Sequence, residues 1–412
     1  MAERRKTIIV GGGQAGLALS YCLKQEGIDH LVLEAADQPG EAWRNHRWDS
    51  FTLVTPNWHI RLPGAEYQGD DPDGFMPRKQ VVSLLEDYVQ RYQLPVQFQT
   101  RVTSVSRKVD ASGYQIESSR GAWEAGNVVI ATGSFQTPKI PAFSQSISPA
   151  ILQIHSGQYR NPGQLPPGAV LVVGSAQSGC QVAEELYQVG RKVFLSVGSA
   201  GRLPRRYRGQ DITRWLYPVG FFDRTLDMLP SPQARFAGNP HITGKDGGHT
   251  LNLHQFARDG VTLLGHIQGG MGETLSIAPD VKENLAKADK FEADIITAID
   301  EYIRNNRIDA PIESLPALQD GYQAEEIDRL NLEKAGITSI IWASGYTCDF
   351  SLVQLPILDD WRYPLQERGI TAYPGLFFVG LHWLHSFKSG IFMGVGEDAA
   401  YVAEHIANRQ KA

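Results

Sequence analysis

Three cysteines in 412 residues, Cys22, Cys180 and Cys348, stand far apart and form no CxxC pair. That argues against a redox dithiol and suits a reducing cytoplasm. No segment approaches the roughly 18 uninterrupted apolar residues that a membrane span needs. The basic-then-apolar start, MAERRKTIIVGGGQAG, reads as no signal peptide, because glycines split the apolar stretch and no small-residue cleavage site closes it. Basic excess is missing too. Thirty-nine Lys and Arg against 45 Asp and Glu give a net charge of -6, which leaves no electrostatic footprint for nucleic acid. There is no G-x-S-x-G nucleophile elbow. The histidines of GGHTLNLH (His249, His254) and HWLH (His382, His385) lack ligand-spaced acidic or thiol neighbours, so no metal is expected. What remains is a soluble cytoplasmic chain, long enough for two or three domains.

Glycine patterning is what the chain does have. An apolar strand over Thr7–Val10 runs straight into GGGQAG, a helical pattern follows to about Gly27, and a second strand, 30–33, ends at Glu34. This strand–turn–helix–strand context predicts a dinucleotide site. Gly11 permits the tight turn, Gly13 lets backbone approach a pyrophosphate, and Gly16 lets helix pack on strand, with Gln14 and Ala15 between them. The helix N-terminus offers N–H groups and partial positive charge to phosphate. Glu34, with Ala35 beside it, is placed for a ribose. The first nucleotide is read as FAD.

The unit recurs. Ala169–Val173, GSAQSG, a helix and the strand 192–197 repeat it, with Ala176 in place of the middle glycine. Gly174, Ser175, Gln177 and Ser178 are the candidate contacts. At the strand end stand Val197, Gly198 and Ser199, with no acid to repel a 2′-phosphate. Arg202, Arg205 and Arg206 follow, so Ser199, Arg202 and Arg205 are read as the NADPH end. A solvated basic loop is the alternative for these arginines.

A third element is also paired. VVIATGSF (128–135) and IIWASGYTCDF (340–350) each end a strand in a small–hydroxyl–glycine turn. Ala131, Thr132 and Gly133, then Ser344 and Gly345, mark where the chain leaves an outer domain and returns to it. The expected fold is α/β, with two nested Rossmann-like, glutathione-reductase-like dinucleotide-binding domains. The FAD-binding domain takes 1–155 and 330–412; the NADP-binding domain takes 156–329, with an insert at about 209–321. In the insert, PDVKENLAKADKFEADIITAIDEYI has the period of a long amphipathic helix. The insert is read as an active-site cap or a homodimer contact, and its aromatic run, RWLYPVGFFDRTLDML, as core or pocket. The last strand, 376–380, brings Gly380 and His382 to the flavin. A helix expected from about 391 to 406 presents its N-terminus to the negative charge of a reduced flavin.

Taken together these segments resemble the class B flavin-dependent monooxygenases, the family of flavin-containing monooxygenases and plant YUCCA enzymes. GGGQAG with Glu34, PGEAWR, FMPRKQVVSLLEDYV, ATGS, GSAQSG, ASGY and GLFFVG carry the resemblance. It implies FAD on the first loop and NADPH on the second, acting with O2 on a small organic substrate. It places Trp43 and Arg44 near the FAD, with core packing and a surface cation as their alternatives. Val102 joins the candidate FAD contacts. Asn57 in VTPNW becomes the candidate catalytic residue, its alternative being a turn. The family fingerprint FxGxxxHxxxY keeps His155 and Tyr159 but has Pro149 and Ile151 where Phe and Gly belong. That departure leaves open an NAD(P)H-dependent oxidoreductase or oxidase without oxygen insertion. A non-catalytic flavin-binding sensor is more distant. His155 is expected to stabilise the linker.

Overall fold

The computed structural model describes residues 2–110 and 112–411. Strand β1 (Glu3–Val10) leads through helix α1 (Gln14–Gln25) to β2 (His30–Leu33). Helix α2 (Arg78–Arg91) and strands β3 (Val96–Gln97), β4 (Val102–Arg107), β5 (Tyr114–Ser118) and β6 (Gly121–Ile130) follow. The sheet runs β3-β2-β1-β6-β5-β4, and β12 (Leu376–Phe378) returns late in the chain to pair with β6. Its central strands are parallel and buried on both faces, with Ile8, Ile9, Val128 and Val129 at 0% exposure. Two-sided burial explains why they read as continuous apolar runs. Helix α6 (Val395–Lys411) lays Val395, Ala399, Val402 and Ile406 into the same core as Leu17 and Leu19 of α1.

The second sheet is wholly parallel. Strands β7 (Leu152–His155), β8 (Ala169–Val173), β9 (Val193–Ser196), β10 (Thr262–Leu264) and β11 (Ile337–Trp342) order as β7-β11-β8-β9-β10. Helix α3 (Gln177–Gln188) joins β8 to β9, and α4 (Leu253–Arg258) precedes β10. The expected α/β fold with nested Rossmann-like units is present. Its boundaries shift, because 152–155 and 337–342, expected in the outer unit, hydrogen-bond in the inner sheet. Both strands sit next to a crossing, where composition cannot tell which sheet recruits a buried strand. The crossings themselves pair, Thr137–Pro138 running antiparallel to Tyr346–Thr347.

The expected insert is not one block. Leu253–Leu264 inside it supplies α4 and the edge strand of the inner sheet. The added parts are an aromatic segment before α4, a meander (Ile267–Met271, Thr274–Ile277, Arg329–Asn331) and helix α5 (Val281–Asn305). At 25 residues, α5 is roughly 37 Å long. The last helix begins at Val395 rather than 391, because 387–390 make a separate turn capped by Ser386 and Ser389.

Candidate active site: two dinucleotide cradles

Sterics fix the first loop. Gly11 has φ +113°, and a Cβ there would sit 2.6 Å from the Ala131 oxygen; one on Gly16 would sit 2.0 Å from the Gly11 oxygen. Gly13, the residue before α1, has φ -79° and ψ -177°, so its backbone does not demand glycine. A Cβ there would meet nothing within 4 Å. The space before the helix N-terminus is open, as an approaching pyrophosphate requires. Glu34 is 9% exposed and oriented by main chain: Gly12 N–H donates to Oε2 and Ala36 N–H to Oε1. Its remaining lone pairs suit ribose hydroxyls. Ala35 is exposed beside it. The segment leading to Val102 bonds along the same strand end, through Thr100 N–H to the Glu34 oxygen and Gln99 N–H to the Ala36 oxygen.

Further along α1 the sequence candidates converge. Gln14 donates to the Gly390 oxygen (2.8 Å) and accepts from the Trp43 indole (3.1 Å), and Trp43 stacks on Phe392 at 5.6 Å. A Cβ on Gly380 would come within 2.2 Å of the Ala15 Cβ. The turn after β6 is tied by Gln136, which donates to Thr132 Oγ1 and the Gly133 oxygen. His382 bonds through its backbone to Ser134 Oγ, and its Nε2 is buried without a partner. Burial pulls that imidazole down to about 4. Arg44 pairs with Glu86 (2.7 Å) on α2.

Asn57 opens a short 3-10 turn, Asn57–His59, that reaches the start of α6 through Arg61 N–H to the Phe392 oxygen. Its Nδ2 donates to the Asp71 oxygen while Oδ1 is buried and unpaired. The next two residues, unread in the sequence, show the same trait. Trp58 Nε1 and both ring nitrogens of His59 are buried without partners, and burial pulls His59 down to about 3. Consecutive orphaned groups are costly unless something meets them. No local pattern in NWH announces this; it arises because His59 lies against Phe222 at 5.1 Å, more than 160 residues on. The aromatic segment is pinned there by Phe387 N–H to the Arg224 oxygen and Lys388 N–H to the Phe222 oxygen. Phe221, Phe222, Trp215 and Met393 share one core with Val54 and Phe387, and the segment packs over this end of the outer unit.

The second loop repeats the steric design. A Cβ on Gly174 would sit 2.7 Å from the Ala343 oxygen, and one on Gly179 only 1.7 Å from the Gly174 oxygen. Gln177 and Ser178 are half-buried in the first turn of α3. Ser175 Oγ accepts from Gly198 N–H at 2.9 Å, holding the end of β9, and Ser199 is exposed. Ser344 Oγ donates to the Lys139 oxygen and Gly345 accepts from His155 Nε2 (2.9 Å). His155 thus ties β7 to the returning crossing, the linker role expected of it.

The arginines part company with expectation. Arg202, 5% exposed, pairs with Asp289 (2.7 Å) and Glu292 (2.6 Å) of α5. Arg205, 1% exposed, forms a two-pronged pair with Asp211, donates to the Val54 oxygen and stacks on Phe75. Arg206 donates to the Gly247 and Gly248 oxygens. Their carboxylates lie up to 90 residues away, so the sequence around RLPRR could not show that these cations were taken.

Two further histidines are held in ion pairs. His249 pairs with Glu184 and His254 with Asp289. Burial pushes the Cys22 thiol up to about 12 and raises Cys180 and Cys348, and all three are free. Among the described residues no helix is long and apolar enough to cross a membrane.

Residues 8–220 match the family described as pyridine nucleotide-disulphide oxidoreductase. An uncharacterized CzcO-like oxidoreductase of Geobacillus kaustophilus is 32% identical over 97% of this chain and 98% of its own. A probable indole-3-pyruvate monooxygenase of Arabidopsis thaliana, YUCCA3, is 25% identical over 98% of this chain and 87% of its own. The flavin-containing monooxygenase of Stenotrophomonas maltophilia has the same fold, with TM-score 0.67 over 99% of both chains at 20% identity. The chain belongs to the pyridine nucleotide-disulphide oxidoreductases.

Proposed function

We propose that this protein is an NADPH-dependent flavoprotein monooxygenase, with FAD on the Gly11–Gly16 loop and NADPH on the Gly174–Gly179 loop. The observation that carries the reading is the row of buried, unpaired polar atoms at Asn57, Trp58, His59 and His382, beside the FAD cradle and beneath the aromatic segment. The flavin, once reduced by NADPH, supplies the two-electron chemistry that divides O2 between an organic substrate and water.

The chain's own groups orient and shelter that chemistry. Gly11, Gly13 and Gly16 admit the FAD pyrophosphate, and Glu34 accepts from its ribose. Asn57 Oδ1 accepts a hydrogen bond from an N–H of the reacting groups. The N-terminus of α6 favours negative charge on the flavin. His59 and His382 stay neutral under ordinary conditions, since burial holds them at about 3 and about 4. Neither therefore brings a labile proton into a pocket that must stay dry. The substrate is a small organic molecule, oxygenated at a soft nitrogen or sulfur nucleophile, with a carbonyl as the second choice.

Support comes from the monooxygenases among the relatives and from the paired cradles. A second reading, an NAD(P)H oxidase that inserts no oxygen, is favoured by the incomplete fingerprint: Ile151 stands where the family has Gly and is buried in the inner core. Turnover of an amine or thioether under 18O2 with NADPH separates them. Product carrying one heavy oxygen per NADPH supports the monooxygenase. NADPH consumed with matching peroxide release and unlabelled substrate establishes the oxidase.

A further inference from the structure

The second loop lacks the cation that was expected to read its nucleotide, because Arg202, Arg205 and Arg206 are committed elsewhere. In a Rossmann unit the adenosine ribose lies beyond the end of the second strand, which here is β9 running into Val197, Gly198 and Ser199. The neighbour of that strand end is β10. Ser196 pairs with Leu264, and Val197 N–H donates to the Leu264 oxygen at 2.8 Å. Two residues beyond the end of each strand, Gly198 and His266 stand side by side. The one atom within 4 Å of a Cβ built on Gly198 is His266 Nε2, at 3.8 Å.

The ring of His266 is held from behind. Asp280 accepts from its backbone N–H at 2.9 Å through Oδ1 and lies 2.5 Å from Nδ1 through Oδ2. Asn284 lies 3.2 Å from Nδ1 and donates to the Val197 oxygen. Lys287, the next cation along α5, is paired with Glu283 at 2.7 Å. A carboxylate against Nδ1 holds one N–H there, and on a ring carrying both protons the outward Nε2 is a donor as well. Half the side chain is exposed on that side (52%).

We propose that His266, oriented by Asp280, reads the 2′ substituent of the NADPH adenosine ribose, so that nucleotide choice resides at the end of β10 and not on the arginine loop. This rests on the reading of the second loop as the NADPH site. The chemistry is a hydrogen bond from Nε2–H to a 2′-phosphate oxygen, and Gly198 leaves room for that phosphate where a side chain would crowd it.

The test is titration calorimetry of FAD-loaded protein with 2′,5′-ADP and with 5′-AMP, alongside His266→Ala, His266→Arg and Asp280→Asn. Loss of one charge-assisted bond weakens 2′,5′-ADP by about 10- to 100-fold in His266→Ala, with 5′-AMP changed by less than about threefold. His266→Arg retains the preference for the 2′-phosphate, and Asp280→Asn weakens it by less than His266→Ala does. Equal losses for both nucleotides, or an unchanged preference in His266→Ala, overturn the assignment of His266 and leave the NADPH site standing. Absence of binding by either nucleotide to the parent protein overturns the site itself and the proposal with it.

Discussion

At the first loop the closing segments leave the N-terminus of the helix open: nothing lies within 4 Å of a Cβ on Gly13, and Glu34 waits at the strand end. At the second, Ala176 holds the equivalent place, a Cβ on Gly238 would lie 3.0 Å from its methyl, and the strand end carries no acid. The two loops nevertheless share nearly the same close approaches, Gly16 to Gly11 and Gly179 to Gly174. Backbone sterics within a short segment repeat faithfully. Recognition does not, because it is assembled from segments the motif does not contain.

The severest way to break the comparison is to fill each close approach. Gly16→Ala and Gly179→Ala drive a methyl into a carbonyl oxygen that belongs to the same turn and cannot move aside, a strain of ~3 kcal/mol. Gly16→Ala should purify without visible flavin absorbance. Gly179→Ala should stay yellow, yet be reduced by NADPH about 100-fold more slowly while dithionite still bleaches it. A colourless Gly179→Ala protein would show that the two cradles are not independent.

Arg205 sharpens the comparison from another side. As a clamp between Asp211 and the Val54 oxygen it holds the inner unit to the stretch leading to Asn57. Arg205→Ala leaves the Asp211 carboxylate buried and unpaired, which costs about 3–5 kcal/mol. The melting temperature should fall with the ratio of NADPH to NADH affinity unchanged. A changed ratio in a protein of normal stability would return Arg205 to the nucleotide.

These particulars show where the sequence was legible. GGGQAG, GSAQSG and the apolar strands around them announce themselves because turn sterics and two-sided burial are local constraints. Helix α5 was readable from its period for the same reason. The loss of Arg202 to Glu292, the approach of His266 to Gly198 and the sealing of His59 under Phe222 depend on partners 60 to 160 residues away. Strands 152–155 and 337–342 were visible as strands, but their sheet was decided by register across the crossing. Asn57 was reachable only by resemblance, and its neighbours not at all.

Acid should weaken both regions through histidines that the fold keeps neutral. Burial holds His59 and His241 at about 3 and His382 at about 4. All three are lowered from 6.5, so the unfolded chain binds protons that the folded one refuses, and stability falls as pH drops below 6.5. By pH ~5 each costs about 2 kcal/mol. Urea midpoints at the two ends of that window should differ accordingly, and His241→Leu, beside the second loop, should remove its share. An unchanged acid response in that variant would mean that His241 is charged in the fold.

The smallest effect is the most direct comparison of the loops. Gly13 and Ala176 precede their helices with nearly the same backbone, φ -79° and ψ -177° against φ -72° and ψ -173°. Either residue type fits both places, so exchanging them tests the ligand and not the fold. Gly13→Ala should retain the parent's stability and bind FAD up to about tenfold more weakly, by ~1 kcal/mol. Ala176→Gly should also stay folded and bind NADPH more tightly by a similar or smaller factor. If neither exchange moves either affinity, the middle position of the loop does not face the pyrophosphate. If Ala176→Gly weakens NADPH binding, the methyl is a contact that this protein has taken up in exchange for closer backbone approach.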